Sequence, residues 1–390
     1  MSSRLYIISG SSGSGKTELL DLIQNQATSK AVLAPKYSTR NERKGEFDDI
    51  RHVDRIDDEE YTFVYPMNNY TYGIKAEEIT DLLGRGYNVF IILSDLRIVE
   101  EVKQFFGSIA VSLYIFRNLS ADQLEKVLEE REMARGINPV DTVPLERQRQ
   151  TRLNRLYFIQ RKYVDNITLF DHIILNIRKP QDMLQQVINL VEGYENGIVH
   201  KDMRGPVIFL IAAAPGAGKR TLTTAMYGFG RKSITVVKKA TTRKIHDDDG
   251  PEIYHVDEIN HTKFNINYSF HDKYTEYGIE TGIMWQNLSK GRSQILITNM
   301  QQFRKFREMF GPLVVCVYLH ATRTMKQLFE WQVERHGDEE KAKRKVEELD
   351  RIHQDYISNI AEFQHVLLNT LEKEDFWEQM LRLMRFYRDR

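Results

Sequence analysis

The chain repeats itself. Residues 8–19 read ISGSSGSGKTEL and residues 211–222 read IAAAPGAGKRTL, which sets Lys16 and Lys219 203 positions apart. The same offset separates Arg40, which ends KYSTR, from Arg243, which ends KATTR. Gly73 and Gly278, of YGIKAEEI and YGIETGIM, lie 205 apart. Gly107 and Gly311, of QFFGSIAVSLYIF and EMFGPLVVCVYLH, lie 204 apart, as do Arg131 and Arg335, which end QLEKVLEER and QLFEWQVER. The last pair, Asn176 and Asn369, ending FDHIILN and FQHVLLN, lies 193 apart. Six landmarks in one order at nearly one offset predict a tandem duplication whose second copy is shorter before its final strand. Repeats of this length are two domains, not solenoid units. The seam falls near GYENGIVHKDMRG, so the expected domains are 1–195 and 205–390.

Within each copy, short β-branched runs alternate with helical patterns. RLYIIS, YNVFIIL, VSLYIF and HIILN read as buried strands, and VIFLIA, SQILIT, VVCVYL and HVLLN match them in the second copy. TELLDLIQNQA, AEEITDLLGRG and ADQLEKVLEERE read as helices. Such alternation predicts an α/β fold with a parallel sheet and right-handed crossovers in each copy.

In the first copy, strand LYIIS runs into Gly10, Ser11, Ser12, Gly13, Ser14, Gly15, Lys16 and Thr17, the GxxxxGK[ST] pattern between a strand and a helix. The glycines permit a wrap of backbone N–H groups around phosphate oxygens, and the following helix adds the partial charge of its N-terminus. Lys16 is the expected partner of the β- and γ-phosphates, and Thr17 the expected Mg²⁺ ligand. The second copy keeps Gly216, Ala217, Gly218 and Lys219 but has Ala213 for Gly10 and Arg220 for Thr17, with Thr221 one residue later. Its loop is expected to cradle phosphate while handling magnesium poorly, since a guanidinium offers no oxygen ligand. A bare glycine turn is the bland alternative for either loop.

The residues beyond the loop resemble guanylate kinases. STRNERKGEFDDIRHV is similar to that family's TTRxxRxGE segment at Arg40, Arg43, Gly45 and Glu46. YTYGI is similar to its YYG[TS] segment at Tyr72 and Gly73, and IILSDL to its LDID strand at Asp95. Arg131, Arg149 and Arg152, followed by a strand ending in Asn176, continue the likeness. The resemblance implies two tandem P-loop NTPase domains, each a parallel sheet flanked by helices with a lid and an acceptor-binding insertion. It implies ATP-dependent phosphoryl transfer to a nucleoside monophosphate or related phosphorylated small molecule, with ATP and Mg²⁺ as cofactors. Lys16, Arg131, Arg149 and Arg152 then serve the transfer. The two loops and Asn176 bind nucleotide, Thr17 and Asp95 serve the metal, and Arg40, Arg43, Glu46, Tyr72, Asp95, Arg243 and Tyr277 bind the acceptor. Phosphoryl transfer needs positioning and charge cancellation more than covalent help, which suits an arginine-rich set. Any one surface arginine is more often a solvated side chain; the cluster carries the reading.

The departures concern the acceptor. Ile50, Tyr65 and Ile74 stand where guanylate kinases place polar groups that hold GMP, and Lys36 and Lys239 stand where they place a serine. Apolar replacements leave a guanine edge unpaired, at a cost of kilocalories. The YGI pattern also looks like ribose 1,5-bisphosphate phosphokinases, which implies a sugar phosphate acceptor. In the second copy His246 replaces Arg43 and Asn299 replaces Asp95, so catalysis is expected in the first copy. Two non-enzymatic readings stand beside this one: a guanylate-kinase-like binding module, and a nucleotide-dependent switch.

Composition excludes other classes. The 390 residues balance 55 Lys and Arg against 55 Asp and Glu, so no general drive toward nucleic acid or anionic membranes is expected. No apolar run reaches bilayer length, and MSSRLYIISG lacks a signal peptide's apolar core, so the expected compartment is cytoplasmic. The single cysteine, Cys316, sits in the apolar run LVVCVYL and reads as a small buried hydrophobe. KAKRKVEELDR reads as a solvated helix face. Oligomeric state and the acceptor's identity are left open.

Overall fold

In a computed structural model, the described residues are 3–11, 13–26, 30–42, 49–67, 69–117, 161–177, 179–198, 203–214, 216–228, 234–245, 249–260, 266–272, 275–369 and 373–389, with the single positions 123, 126, 154 and 158. The chain divides into two compact units, Met1–Ile198 with Ile357–Ala361, and Val199–Tyr356 with Glu362–Arg390.

The first unit holds two sheets. Its strands are β1 (Leu5–Gly10), β2 (Ala31–Leu33), β3 (Lys36–Ser38), β4 (Ile50–His52), β5 (Phe63–Met67), β6 (Tyr70–Ile74), β7 (Asn88–Ile92), β8 (Ala110–Arg117) and β9 (His172–Asn176). A parallel sheet runs in the order β2-β7-β1-β8-β9. Every residue of β1 and β9 is buried, as expected when helices cover both faces of a parallel sheet. The helices are α1 (Lys16–Gln26), α2 (Ala76–Gly84), α3 (Leu96–Phe106) and α4 (Pro180–Glu195). Each turns an apolar stripe inward; in α3 that stripe is Ile98, Val99 and Val102. The second sheet, β4-β3-β6-β5, pairs β3 with β4 in parallel and β6 antiparallel to both β3 and β5. Its apolar residues Phe63, Tyr65, Tyr72 and Ile74 pack with Leu5, Ile7, Val89 and Ile91 of the central sheet in one core.

Among its described residues the second unit has nine strands in corresponding order: β10 (Ile208–Ala213), β11 (Ile234–Val236), β12 (Lys239–Thr241), β13 (Ile253–His255), β14 (Tyr268–Asp272), β15 (Thr275–Ile279), β16 (Ser293–Ile297), β17 (Val314–Ala321) and β18 (His365–Asn369). Its sheets run β11-β16-β10-β17-β18 and β13-β12-β15-β14, so the central sheets share one topology, strand for strand. Helices α5 (Lys219–Gly228), α6 (Thr281–Ser289), α7 (Phe303–Phe310), α8 (Met325–His336), α9 (Glu339–Ser358) and α10 (Lys373–Asp389) complete it.

Buried hydrogen bonds recur at the same offsets. Gln186 takes both backbone groups of Leu175, and Gln379 both of Leu368, at 2.8–3.0 Å. His172 meets the Tyr194 hydroxyl at 2.7 Å, and His365 the Tyr387 hydroxyl at 2.8 Å. Cys316 is buried; the lost hydration pushes its thiol up to about 12, so it stays protonated. Helix α9 is less solvated than its charge run predicts: Ala342 and Leu349 are buried, and Glu348 and Arg351 line a cavity.

Candidate functional site

Each central sheet ends its first strand in a turn that wraps back on itself. In the first unit β1 enters the turn at Gly10 and α1 begins at Lys16. The Lys16 ammonium folds over the loop, donating to the carbonyls of Gly10 at 2.9 Å and Ser11 at 2.7 Å. Asn176, at the end of β9, donates to the Ser14 carbonyl at 2.9 Å, and Arg117, at the end of β8, to the Gly13 carbonyl at 3.0 Å. Gly15 sits at φ 101°, and a Cβ there would come 2.7 Å from Asn176 Nδ2, so only glycine fits under that amide. Ser14 Oγ is buried and has no hydrogen-bond partner among the described residues. A hydroxyl left without a partner inside a turn of backbone N–H groups fits a phosphate oxygen. Thr17, on the first turn of α1, is exposed. Of the loop residues, Ser12 lies outside those described.

The second unit builds the same wrap. Lys219 donates to the Ala213 carbonyl at 3.2 Å and the Ala214 carbonyl at 3.3 Å. Asn369 donates to the Ala217 carbonyl at 2.9 Å and would lie 2.6 Å from a Cβ on Gly218. Gly216 also adopts a positive φ, 73°. The missing first glycine has a steric explanation. A Cβ on Gly10 would stand 2.6 Å from Ser14 Oγ, and where the first unit has Ser14 the second has Ala217. Removing the hydroxyl relieves the nearest of the contacts that such a Cβ meets; the Ile115 carbonyl, at 2.9 Å, is the next. Arg220 and Thr221 are both exposed.

The smaller sheet presents a second group of side chains. Arg40 is buried and donates through Nε to the Tyr72 hydroxyl at 3.1 Å. His52 donates through Nδ1 to the Arg40 carbonyl at 2.7 Å, which fixes that ring. Tyr72 stacks on Tyr65 with ring centroids 5.5 Å apart. Ile74 is fully buried in the core, and Ile50 packs at its edge. Burial pushes the Tyr65 hydroxyl well above its ordinary value, so it stays a neutral donor and acceptor. Lys36, an apparent loss of a family serine, forms a buried ion pair with Asp49 at 2.9 Å.

The second unit repeats the frame and changes the charges. Tyr277 stacks on Phe270 at 5.4 Å, and His255 donates through Nδ1 to the Arg243 carbonyl at 2.8 Å. Arg243 is ion-paired with Asp249, whose other oxygen lies 2.9 Å from His255 Nε2. Lys239 donates to the Ile297 carbonyl at 2.7 Å and stands 5.7 Å above the Tyr277 ring. Lys219, Arg243, Lys239 and Tyr277 line one cavity of about 550 Å³.

Asp95 caps α3 by accepting from Arg97 N at 3.0 Å and pairs with the Arg97 guanidinium at 2.9 Å. Those bonds hold its carboxyl below the usual carboxylate range. Lys162, which sequence reasoning missed, donates to the Ser94 carbonyl at 2.9 Å; burial lowers its ammonium pKa and the charge of Asp95 opposes that shift. Arg117 was missed as well, because no motif marks a strand-end arginine. Among the described residues no cluster of three or more His, Cys, Asp or Glu could hold a metal ion. Arg43, Glu46, Arg131, Arg149, Arg152 and His246 lie outside the described residues.

No protein-family model matches the chain. It is similar to a guanylate kinase of Acinetobacter baylyi, 28% identical over 187 residues that cover 45% of this chain and 80% of that protein. A crystal structure of guanylate kinase from Anaplasma phagocytophilum matches 47% of this chain and 86% of its own, at 18% identity and a TM-score of 0.33. Part of the chain is thus a guanylate-kinase-like region at low identity, and the similarity is to phosphotransferases in general terms. Among the described residues no helix is long and apolar enough to cross a membrane.

Proposed function

We propose that the chain carries two copies of one P-loop kinase domain, and that the first catalyses ATP-dependent phosphoryl transfer to a phosphorylated small molecule. The observation that carries the reading is the first loop: Lys16 folded onto the carbonyls of Gly10 and Ser11 beside a buried Ser14 hydroxyl with no partner. When bound, ATP with Mg²⁺ supplies the transferable phosphoryl group, ADP being the other product. Lys16 is placed to swing from two neutral carbonyls to phosphate oxygens, a gain from neutral to charge-assisted hydrogen bonds. Thr17 offers the only hydroxyl on the first turn of the helix, where a magnesium ion finds an oxygen ligand. Arg40, two residues beyond β3 and held through Nε by the Tyr72 hydroxyl, supplies a guanidinium to clamp an acceptor phosphate. Lys162 adds a cation beside Asp95 at the end of β7. Arg43, Arg131, Arg149 and Arg152 are assigned to the acceptor clamp and the lid on sequence alone.

The acceptor reading follows from what the smaller sheet lacks. Tyr65, Ile74 and Ile50 face the core, and the buried charged pair there, Lys36 with Asp49, is closed on itself. A guanine edge finds no open carboxylate among these groups. A sugar phosphate of the ribose bisphosphate kind suits the set better than GMP. The second unit keeps the cradle without the magnesium hydroxyl at position 220 and is assigned a binding role. The test is a screen of the purified chain with labelled ATP against nucleoside and sugar monophosphates. Transfer to a sugar phosphate with slow GMP turnover is the expected result; no transfer to any acceptor, with nucleotide still bound, would instead make the chain a switch or binding module.

A further inference from the structure

The buried ion pair of the first unit has been taken apart in the second. Lys36 and Asp49 meet at 2.9 Å. Their counterparts at the same offset are Lys239 and Glu252, but Lys239 donates to the Ile297 carbonyl instead. Glu252 is 6% exposed, and its Oε2 has no hydrogen-bond partner among the described residues. Two neighbours on the cavity wall share that condition. Thr298 is 9% exposed with Oγ1 unsatisfied, and Asn299 leaves Oδ1 unsatisfied. All three residues line the 550 Å³ cavity that also contains Lys219 and Arg243.

Unsatisfied buried polar atoms are costly, and more so when charged. Three unsatisfied oxygens on residues that line one cavity therefore mark a place where donors arrive from outside the chain. Lysine and arginine at the phosphate loop supply the opposite preference, for an anion. The cavity is large enough for a molecule that spans both ends. We infer that the second unit is a binding site for a small phosphate monoester that carries hydroxyl or amine donors, with its phosphate toward Lys219 and those donors toward Glu252, Thr298 and Asn299. Binding there needs no magnesium and involves no transfer, because Arg220 stands where Thr17 would hold the ion. The site rests on residues of the second unit alone and stands apart from the kinase reading of the first.

The test is calorimetric titration of the full chain in EDTA, without ATP, with ribose 5-phosphate, AMP, GMP and inorganic phosphate as probes. An Arg40→Ala background removes acceptor binding in the first unit. The expected result is binding of at least one of the three organic phosphates in that background, tenfold or more tighter than inorganic phosphate. Glu252→Leu should weaken it at least tenfold and Thr298→Val several-fold, with circular dichroism and melting confirming folded variants. Equal affinity for inorganic phosphate would overturn the donor half of the site. No binding at millimolar probe, or binding unchanged in both variants, would overturn the inference whole. Loss of kinase activity in every assay would leave this result untouched, so the two readings fail separately.

Discussion

The two loops share their lysine and asparagine bonds to backbone carbonyls and differ in what their side chains can do next. In the first unit the lysine bonds its carbonyls at 2.7 and 2.9 Å, a buried hydroxyl waits inside the wrap, and Thr17 follows. In the second the lysine sits at 3.2 and 3.3 Å, alanines replace the first glycine and the inner serine, and Arg220 follows. The wrap needs only glycines at the tight positions and an asparagine to pin the loop, and both units retain these. Chemistry needs oxygen ligands as well. The backbone contacts of the wrap therefore persist where the side chains around them change.

The same contrast runs beneath the sheets. Lys103, Ser112 and Asp171 form a closed ionic cluster in the first unit, with Lys103 and Asp171 at 2.8 Å. Arg307, Cys316 and Gln364 stand there in the second: Arg307 reaches the Glu362 carbonyl, and Gln364 accepts from Cys316 N. Phe116 of the first unit becomes His320, whose ring lies 5.2 Å from that of His353.

The largest expected difference concerns the buried carboxylates. Asp49→Asn leaves Lys36 buried without its partner and should destabilise the first unit by about 3–5 kcal/mol. Glu252→Gln removes a charge that has no partner, and should leave the second unit's stability unchanged or raised. Urea unfolding of both variants, each read against the parent, checks the pair; equal losses would break the contrast.

Next come the arginines. Arg40→Ala should lower kcat/KM for the acceptor by about 10²-fold, roughly 2.7 kcal/mol, with little change in the KM for ATP. Arg243 is already paired with Asp249, so Arg243→Ala should change transfer by less than threefold. Steady-state kinetics of the two variants side by side decides between them.

The smallest effect is a pH slope. Burial and the neighbouring His353 depress the His320 pKa well below 6.5 in the folded state. The unfolded chain then binds a proton the folded one refuses, so this stabilisation is complete above pH 6.5 and declines as the pH falls below it. The slope is about 1.4 kcal/mol per pH unit for one proton. His320→Phe, which installs the residue of the first unit, should flatten that part of the profile. Melting temperatures between pH 5 and 7 give the measurement.

Much of this was legible in the sequence. The glycine spacing between a strand and a helix marked both loops, and the apolar runs marked the central strands, because parallel strands buried on both faces leave an unbroken hydrophobic signature. The three-residue strand Ala31–Leu33 left no such signature. Lys36 read only as a lost serine and its partner Asp49 drew no reading, since an ion pair closed between distant residues has no local pattern. Lys162 and Arg117 were illegible for the same reason: they reach the site from strand ends and helices far along the chain. The charged helix after Glu339 looked wholly solvated, because charge periodicity does not reveal that one edge borders a cavity.

The division of labour between the two loops is tested most directly by one comparison: phosphoryl transfer from labelled ATP to the best acceptor found, by the full chain carrying Lys16→Ala or Lys219→Ala. Lys16→Ala should reduce kcat by about 10²–10³-fold, since it removes the cation that stabilises the transferring charge. Lys219→Ala should leave kcat within about threefold, because no step of transfer is assigned to its loop. Loss of activity in Lys219→Ala with Lys16→Ala still active would contradict the account.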